Sequence, residues 1–371
     1  MTETADIVIV GAGMAGASLA SELAGHASVL LLEAESRPGY HSTGRSAAFL
    51  SETYGGPLIQ PLTSASRLFL EDPPTDFSSE PFLSQRGALH IADSGGEPAL
   101  DALFRSFGRT VQLEPWYRWE LLRILPDLRE GWNFGLWEPS CADIDVARLH
   151  AAYLARARSL GARLVTDAHV REAQRDGDGW RIHTSAGTFA GRLIVNAAGA
   201  WADRVASCAG QHPLGIQPYR RTIAQLRVDP PPRRDLPLVI DALGRFYFKP
   251  EAGGRLWLSP HDETPCDPCD CAAEDYDVAL AIDRLEQVMD LRVERVEHKW
   301  AGLRSFAPDR LPVYGFGPHR DFFWFAGQGG FGIQTAPAAA KLAASMILET
   351  TPDPLVAQID PGTYAPDRFA N

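Results

Sequence analysis

Three glycines and one glutamate near the start of the chain have the types and spacing needed to bind a dinucleotide. Gly11, Gly13 and Gly16 form the pattern GxGxxG directly after a run of branched apolar residues. Glycines at these positions allow a tight turn, let a phosphate approach the backbone and let a helix pack closely on a strand. Glu33 follows roughly 20 residues later, where a carboxylate can accept hydrogen bonds from a ribose. A purely structural glycine turn is the alternative interpretation.

The elements that must position these residues are a strand, a helix and a second strand. Residues 6–10 are typical of a strand buried on both faces, as in a parallel sheet. Residues 15–24 have a helical pattern, which would direct the first amides of the helix at a pyrophosphate. Residues 29–32 form a second apolar strand that ends at Glu33. A lone GxGxxG is weak evidence, but this order of elements predicts a dinucleotide site.

Three further stretches contain small residues that would let the backbone lie against a flat ligand. Residues 37–48 are rich in hydroxyls and small side chains, and residues 196–201 form a small-residue turn after a buried strand. Helix capping and packing are the alternative explanations for these two. Residues 327–332 form a glycine-rich turn before a helix, which offers another positive helix end. No second GxGxxG follows a strand, so we expect one dinucleotide and electrons supplied by the substrate rather than by NAD(P)H.

The rest of the chain lacks a regular alternation of strands and helices. Residues 212–300 contain strands joined by proline-rich connections, which is typical of an antiparallel sheet, and residues 49–141 contain short aromatic-rich segments. We therefore predict an α/β protein with a Rossmann-like cofactor domain and an inserted α+β substrate domain built on an antiparallel sheet. The predicted cofactor domain comprises residues 1–48, 142–211 and 301–371, and the predicted substrate domain comprises residues 49–141 and 212–300.

The overall composition argues against several classes of partner. A formal net charge of −12 disfavours nucleic acid and anionic membrane surfaces. No uninterrupted apolar run reaches membrane-spanning length, so we expect no transmembrane segment. The nucleotide strand begins so early that no signal peptide is expected, and five cysteines, an odd number, fit a reducing compartment. We therefore expect a cytoplasmic protein.

Three cysteines form a CxxCxC motif, at Cys266, Cys269 and Cys271. The motif resembles half of a metal site, but no second Cys/His pair at ligand spacing accompanies it. The neighbouring Asp and Pro residues favour a surface loop over a metal or redox site. We therefore predict no metal.

Several of these stretches resemble the superfamily of FAD-dependent D-amino-acid oxidases and dehydrogenases, which also contains glycine and sarcosine oxidases. The resemblance covers nearly the whole chain and rests on the GxGxxG with Glu33 and on residues 41–48, 196–201 and 327–334. Residues 38–48 and 300–306 are especially similar to bacterial D-arginine dehydrogenase. The resemblance implies non-covalent FAD and a substrate domain whose sheet covers the isoalloxazine ring.

The resemblance also implies which residues line the two sites. For FAD, these are Gly11, Gly13, Ala15, Gly16, Glu33, Ala34, His41, Ser42, Thr43, Gly44, Arg45, Ser46, Ala48, Val170, Ala198, Gly199, Trp201, Gly302, Arg304, Gly329, Gly330, Phe331, Gly332 and Ile333. For the substrate, they are Phe49, Tyr54, Ala88, Arg221, Tyr247, Arg304, Gln328 and Gly329.

Within that set, the resemblance implies that Arg221 and Arg304 bind the substrate's carboxylate. A guanidinium fork suits this task because it can hold a carboxylate with two parallel hydrogen bonds. The hydroxyls of Tyr54 and Tyr247 are expected to line the same site. Without the resemblance, each arginine would be read as a surface charge and each tyrosine as a packed core aromatic.

The expected activity is oxidation of the Cα–N bond of a D-amino acid to an imino acid by hydride transfer to FAD. Water then gives the 2-oxo acid and ammonia. Two positions depart from the arginine enzyme, since Phe49 stands where it has a histidine and Ala88 where it has a glutamate. The first departure leaves no catalytic base identified, and Tyr54, Tyr247 or a bound water could assist the loss of the amine proton. Together with Arg221 and Arg304, the two tyrosines are the catalytic residues that the resemblance implies. Without a glutamate at position 88, a cationic side chain of the substrate would have no carboxylate to pair with. We therefore predict a substrate with a neutral, apolar side chain.

Other functions are left open at this point. The substrate could be a secondary amine, a glycine-like amine or a 2-hydroxy acid. The chain could also be a flavin-binding subunit of a larger complex. The electron acceptor could be oxygen, a quinone or a protein.

Overall fold

A computed structural model describes residues 3–369 of the chain. The strands are β1 (Glu3–Val10), β2 (Val29–Leu32), β3 (Phe49–Leu50), β4 (Leu83–Gln85), β5 (Ala88–Ala92), β6 (Glu114–Tyr117), β7 (Phe134–Glu138), β8 (Ala142–Ile144), β9 (Arg163–Val165), β10 (Val170–Asp176), β11 (Gly179–Thr184), β12 (Gly187–Asn196), β13 (Gln217–Asp229), β14 (Leu238–Asp241), β15 (Tyr247–Glu251), β16 (Arg255–Ser259), β17 (Thr264–Pro265), β18 (Arg292–Phe306), β19 (Val313–Phe316), β20 (Phe322–Ala326) and β21 (Gln328–Gly329). The α-helices are α1 (Met14–Leu23), α2 (Gln60–Glu71), α3 (Glu97–Phe107), α4 (Arg118–Ile124), α5 (Val146–Ser159), α6 (Ala202–Cys208), α7 (Asp275–Val288) and α8 (Ala336–Leu348).

The first sheet has the parallel centre that the sequence predicts. It has eight strands; β1 pairs in parallel with β2 and β12, and β12 pairs in parallel with β20. Alternate residues of β1 enter different cores, since Ile7 and Ile9 pack with α1 and α8, whereas Val8 and Val10 pack with the β10–β11 hairpin and α6. Burial on both faces explains why the strand is a continuous apolar run.

The second sheet has ten strands and is mainly antiparallel. Its path runs β21-β18-β13-β16-β15-β14-β5-β7-β6, and β17 pairs with β13. The parallel pair of β14 with β5 joins two distant segments of the chain. The prediction of an α/β fold with an antiparallel second sheet is confirmed by these two sheets and by the solved structures compared below.

One strand crosses a predicted domain boundary, and the pairing of another strand reaches across a second one. β18 continues from the second sheet to Phe306, because its pairing with β13 extends that far, so the boundary between residues 300 and 301 falls within a strand. At the other boundary, β8 begins at residue 142 but pairs with β3 and β4 of the inserted segment. No helix among residues 3–369 is long and apolar enough to cross a membrane.

Strand register brings one face of the second sheet to the site. Arg221 lies opposite Gly302 in the β13–β18 pair, so Arg304 lies diagonally across from it on the same face. Further along the sheet, Tyr247 pairs with Ile240. Ile240 in turn pairs with His90. Because paired residues share a face, these five side chains project to one side of the sheet.

Candidate active site

Two adjoining cavities lie between the sheets. A cleft of about 510 Å³ begins at the GxGxxG turn, and a smaller cavity of about 120 Å³ lies over the second sheet. Four residues line both spaces: Ser46, Arg304, Gly330 and Ile333. The smaller cavity therefore opens onto one end of the cleft.

At the nucleotide end of the cleft, Glu33 is fixed by two backbone amides. Its Oε2 accepts from the amide of Ala12 at 2.9 Å, and its Oε1 accepts from the amide of Glu35 at 3.0 Å. Helix α1 begins after Gly13, which has no side chain to cap it, so the helix N-terminus faces the cleft. This arrangement provides a carboxylate for a ribose and a positive helix end for a phosphate.

The three glycines of the motif have different roles. Gly11 has a φ of +101°, and a Cβ there would lie 2.5 Å from the carbonyl oxygen of Ala197. Gly13 lines the cleft, and a Cβ on it would meet only Thr43 Oγ1, at 3.3 Å. Gly16 does not line the cleft, because it packs α1 against the turn; a Cβ there would lie 1.8 Å from the carbonyl oxygen of Gly11.

The loop after Glu33 follows the wall of the cleft. His41 contacts Glu35 at 2.8 Å and packs on Trp201, and Ser42 Oγ donates to the carbonyl of Leu303 at 2.8 Å. Thr43 Oγ1 accepts from the amide of Met14 at 3.0 Å. These contacts join the loop to the GxGxxG turn, to the small-residue turn after β12 and to β18.

Most residues proposed for FAD line the cleft, but six do not. Ala48 lines only the smaller cavity. Arg45 turns away from the cleft to pair with Asp270 at 2.5 Å, and Gly302 supports it, since a Cβ there would lie 3.2 Å from Arg45 Cβ. Phe331 packs against Ile59 and Phe306. Gly16 and Gly44 hold tight turns. The other residues proposed for FAD do line the cleft: Gly11, Gly13, Ala15, Glu33, Ala34, His41, Ser42, Thr43, Ser46, Val170, Ala198, Gly199, Trp201, Arg304, Gly329, Gly330, Gly332 and Ile333.

The residues of the cleft fit FAD. An acid that can bind a ribose lies at one end, and the N-terminus of α1 follows it, with only its first amide bonded to Thr43 Oγ1. Glycine-rich backbone lines the other end. At that far end a Cβ on Gly330 would lie 2.3 Å from Tyr54 Oη, so this position has no room for a side chain.

Arg304 is a buried guanidinium without an acidic partner. Its side chain is 7% exposed, and no carboxylate of residues 3–369 forms an ion pair with it. Its one hydrogen bond is a long contact of 3.5 Å to the carbonyl of Leu303. Burial and the neighbouring Arg221 lower the pKa of Arg304 below its ordinary value. A buried charge without a partner is costly, and an anion bound beside it would reduce that cost.

Arg221 is buried like Arg304, but protein groups accept hydrogen bonds from its guanidinium. Its Nε donates to the carbonyl of Asp262 at 2.8 Å and its Nη2 to Glu263 at 3.1 Å. Arg310 shares Glu263, with an Nη2–Oε1 distance of 2.8 Å. Burial opposes the charge of Arg221, but the neighbouring tyrosines and acids hold its pKa above the ordinary value.

Aromatic side chains form the walls between the arginines and the far end of the cavity. The ring of Phe49 lies 5.6 Å from that of Tyr54 and 6.0 Å from that of Tyr247. Burial raises the pKa of Tyr247, although Arg221 and Arg304 oppose this shift. Its phenol is therefore a neutral hydrogen-bonding group in this cavity.

Three residues proposed to bind substrate lie outside the small cavity. Gln328 and Gly329 line the cofactor cleft, and the Gln328 amide donates to the carbonyl of Phe325 at 2.9 Å. Ala88 is fully buried and packs with Cys141 and Tyr247. It therefore supports the wall of the cavity instead of forming it.

Sequence reasoning missed the polar far end of the cavity. His90 and Thr53 line it, and both contact the fully buried Glu138, at 3.3 Å from His90 Nε2 and 2.7 Å from Thr53 Oγ1. Glu138 also accepts from Ser51 Oγ and from the amide of Glu52. Burial disfavours its charge, but these hydrogen bonds hold the pKa of Glu138 below its ordinary value.

No motif marks these residues in the sequence, since they come from separate strands and loops. His261 was missed for the same reason, although it lines the cavity beside Arg221. The three cysteines of the CxxCxC motif lie outside both cavities; Cys269 is exposed, and Cys266 and Cys271 are half-buried.

Known proteins share both the sequence pattern and this fold. Residues 6–346 match the sequence profile of the DAO family, described as FAD dependent oxidoreductase. The chain is 27% identical to glycine oxidase from Geobacillus kaustophilus (strain HTA426), over 94% of each chain. It is also 27% identical to mitochondrial dimethylglycine dehydrogenase from Homo sapiens, over 98% of this chain, but it spans only 44% of that protein. The crystal structure of the Geobacillus glycine oxidase aligns with a TM-score of 0.83 at 25% identity, covering 97% of this chain and 98% of that one.

Proposed function

Because the chain belongs to the DAO family of FAD-dependent oxidoreductases, we propose that it oxidises the Cα–N bond of an amino acid in the small cavity. The proposed substrate is a D-amino acid with a neutral side chain. Its product is the imino acid, which water converts to the 2-oxo acid and ammonia. FAD, held non-covalently in the cleft, supplies the acceptor for the hydride that leaves Cα.

The observation that carries this proposal is the unpaired guanidinium of Arg304 at the junction of the two cavities. A substrate carboxylate would give this buried charge its counterion, and Arg221 lies on the same sheet face to share it. A carboxylate bound here would place the substrate's Cα near the mouth of the cleft. Binding energy at the carboxylate would thus orient the reacting carbon.

Contacts at the far end of the cavity support a neutral substrate side chain. Phe49 and Ile240 supply apolar wall, and Thr53 and His90 supply polar groups. No Asp or Glu of residues 3–369 lines the small cavity, and Glu138 behind it is already paired with His90. A cationic side chain would therefore be buried without a carboxylate partner, which is costly.

A small amine substrate is the second candidate. The similarity to glycine oxidase and dimethylglycine dehydrogenase favours it, and so does the cavity volume of about 120 Å³. Such a substrate would use the same arginine pair for its carboxylate. A 2-hydroxy acid would also satisfy that pair, and oxygen, a quinone or a protein remain the candidate electron acceptors.

A substrate panel under anaerobic conditions tests these candidates. The purified, FAD-loaded protein is mixed with D-leucine, D-methionine, D-phenylalanine, D-arginine, their L-enantiomers, glycine and sarcosine, and loss of flavin absorbance is followed. We expect fastest reduction by a neutral D-amino acid. Faster reduction by glycine or sarcosine would favour the second candidate. Fastest reduction by D-arginine at limiting concentration would refute the argument from the missing carboxylate, and no reduction by any substrate would favour a flavin-binding subunit.

A further inference from the structure

One titratable group in the small cavity has no part in the function proposed so far. His261 follows β16 and lines the cavity together with Arg221, Tyr247 and Arg304. Its ring packs edge-on against Tyr247, with ring centres 5.6 Å apart. The ring therefore lies beside the two arginines proposed to bind the carboxylate, and the amino group of an amino acid is attached to the next carbon.

The backbone of His261 is held in an uncommon conformation. Its φ is +57°, in the left-handed region that residues other than glycine rarely adopt. The amide of His261 donates to Ser259 Oγ at 3.1 Å, which helps to hold it there. Strain of this kind collects at functional positions, where the surrounding structure enforces a required geometry.

The hydrogen bond of the ring fixes its tautomer. Nδ1 lies 3.0 Å from the carbonyl oxygen of Gly244. A carbonyl oxygen can only accept, so Nδ1 carries the hydrogen and Nε2 of the neutral ring keeps its lone pair. No residue of 3–369 hydrogen-bonds to that Nε2.

The surroundings of this ring favour its neutral form. Burial and then Arg221 lower the pKa of His261 to about 3, and Arg304 and Arg310 add to the effect. The acids on the same side, Asp262 and Glu263, already accept hydrogen bonds from Thr222 and from Arg221 and Arg310. Tyr247 faces the ring as a neutral phenol, and Arg284 of α7 donates to the carbonyl of Pro260 beside it.

A substrate carboxylate bound to Arg221 and Arg304 would offset this positive field. The carboxylate would thereby raise the proton affinity of His261 above its value in the empty cavity. The same substrate brings an ammonium group, which must lose a proton before its nitrogen can form a double bond to Cα.

We propose that Nε2 of His261 accepts the proton that the substrate's ammonium group must lose. The proposal rests on the proposed function. In this step one N–H bond of the ammonium breaks, the proton bonds to Nε2, and the nitrogen keeps the electron pair. The products are a neutral amine and an imidazolium. The amine lone pair is then available to form the C=N bond as hydride leaves Cα.

His261→Asn is the informative variant. Asparagine tolerates a left-handed backbone, and its amide can still donate to the carbonyl of Gly244, but it cannot take up a proton. His26→Asn is the matched control, since His26 is exposed and outside both cavities. His261→Gln serves as a second variant if the first binds FAD poorly.

The first measurement is the affinity for acetate, a carboxylate without an amine, followed by its effect on the flavin spectrum between pH 5.5 and 8. If the complex raises the pKa of His261, acetate binds more weakly as pH rises through the raised value. We expect this dependence in the parent and the His26 control, and a flat profile in His261→Asn. A parental pH dependence in His261→Asn would overturn the proposal.

The second measurement is the anaerobic rate of flavin reduction by the best amino acid between pH 6 and 10. We expect His261→Asn to lose at least about tenfold in rate at pH 7 and to recover most of it near pH 10, where the free ammonium deprotonates. A parental rate at pH 7, or a loss that is constant across the pH range, would overturn the proposal. If the parent itself neither binds acetate nor is reduced by any amino acid, the proposed function fails instead.

Discussion

Replacing Arg304 by methionine should separate ligand binding from folding. Most point substitutions lower stability, by about 1 kcal/mol on average, and core truncations cost more. Arg304 differs because its guanidinium forms no ion pair with residues 3–369 and makes one long hydrogen bond of 3.5 Å. Methionine has a similar length and removes an uncompensated buried charge beside Arg221. The melting temperature of Arg304→Met without substrate should therefore equal or exceed that of the parent.

The same change should weaken catalysis strongly. Loss of a charge-assisted contact to the substrate's carboxylate costs about 1.5–3 kcal/mol, which is roughly 10- to 150-fold in kcat/KM. Arg304→Lys should be intermediate, because lysine keeps the charge and loses the planar fork. Anaerobic flavin reduction with the best substrate measures the rate, and absorbance of the bound flavin checks cofactor content.

Arg227→Met is the matched control for this experiment. Arg227 lies on the same strand as Arg221, but it pairs with Glu297 at 2.7 Å and does not line either cavity. We expect parental kcat/KM for this variant and a small change in melting temperature. A parental kcat/KM in Arg304→Met would refute the carboxylate assignment. A larger drop in melting temperature than in Arg227→Met would refute the argument from uncompensated charge.

Three other substitutions test separate parts of the site. Gly13→Val should fold yet bind little FAD, because its side chain would enter the cleft; parental flavin content after purification would contradict this. Gly330→Ala should displace Tyr54, since the Cβ would lie 2.3 Å from its hydroxyl, and a parental rate of flavin reduction would show that Tyr54 is not needed in place. Glu138→Gln should lower the free energy of unfolding in urea by about 1–3 kcal/mol, because the amide keeps one acceptor oxygen and puts a donor where the network needs the other; an unchanged midpoint would refute this. The pKa of Glu138 is lower in the folded protein than its ordinary value of 4.5. In the parent, its charge therefore contributes to the free energy of unfolding above that ordinary pKa, and the contribution is lost as pH falls through the folded value. Glu138→Gln should not show this loss of stability in acid.

Local patterns predicted the cofactor half of the molecule well. β2 has the predicted bounds, and α1 lies within one residue of its predicted start and end. Helix α5 is capped by Asp145, whose side chain accepts from the amide of Arg148 at 3.0 Å. These elements follow from hydrophobic period, glycine positions and capping residues, which are all local properties.

The substrate cavity depends on contacts that are distant in sequence. The diagonal placement of Arg221 and Arg304 results from the register of β13 with β18, and His90 reaches the same face through the parallel pair of β14 with β5. Single histidines without a motif give no local signal, which is why His90 and His261 were missed. The extension of β18 past the predicted boundary at residue 300 has a related reason, since the length of this strand is set by its partner strand.

The parallel pair of β14 with β5 also determines when the protein can fold during synthesis. When residue 141 leaves the ribosome, β5 still lacks its neighbour β14, and β1 lacks both β12 and the helix α8 that covers its core. Each half of the nascent chain thus exposes apolar strand edges until the C-terminal segment arrives. Neither half of the chain contains all the strands of either sheet. The two cavities are lined by residues as late as 333 and 334, so they form only when nearly the whole chain has been made.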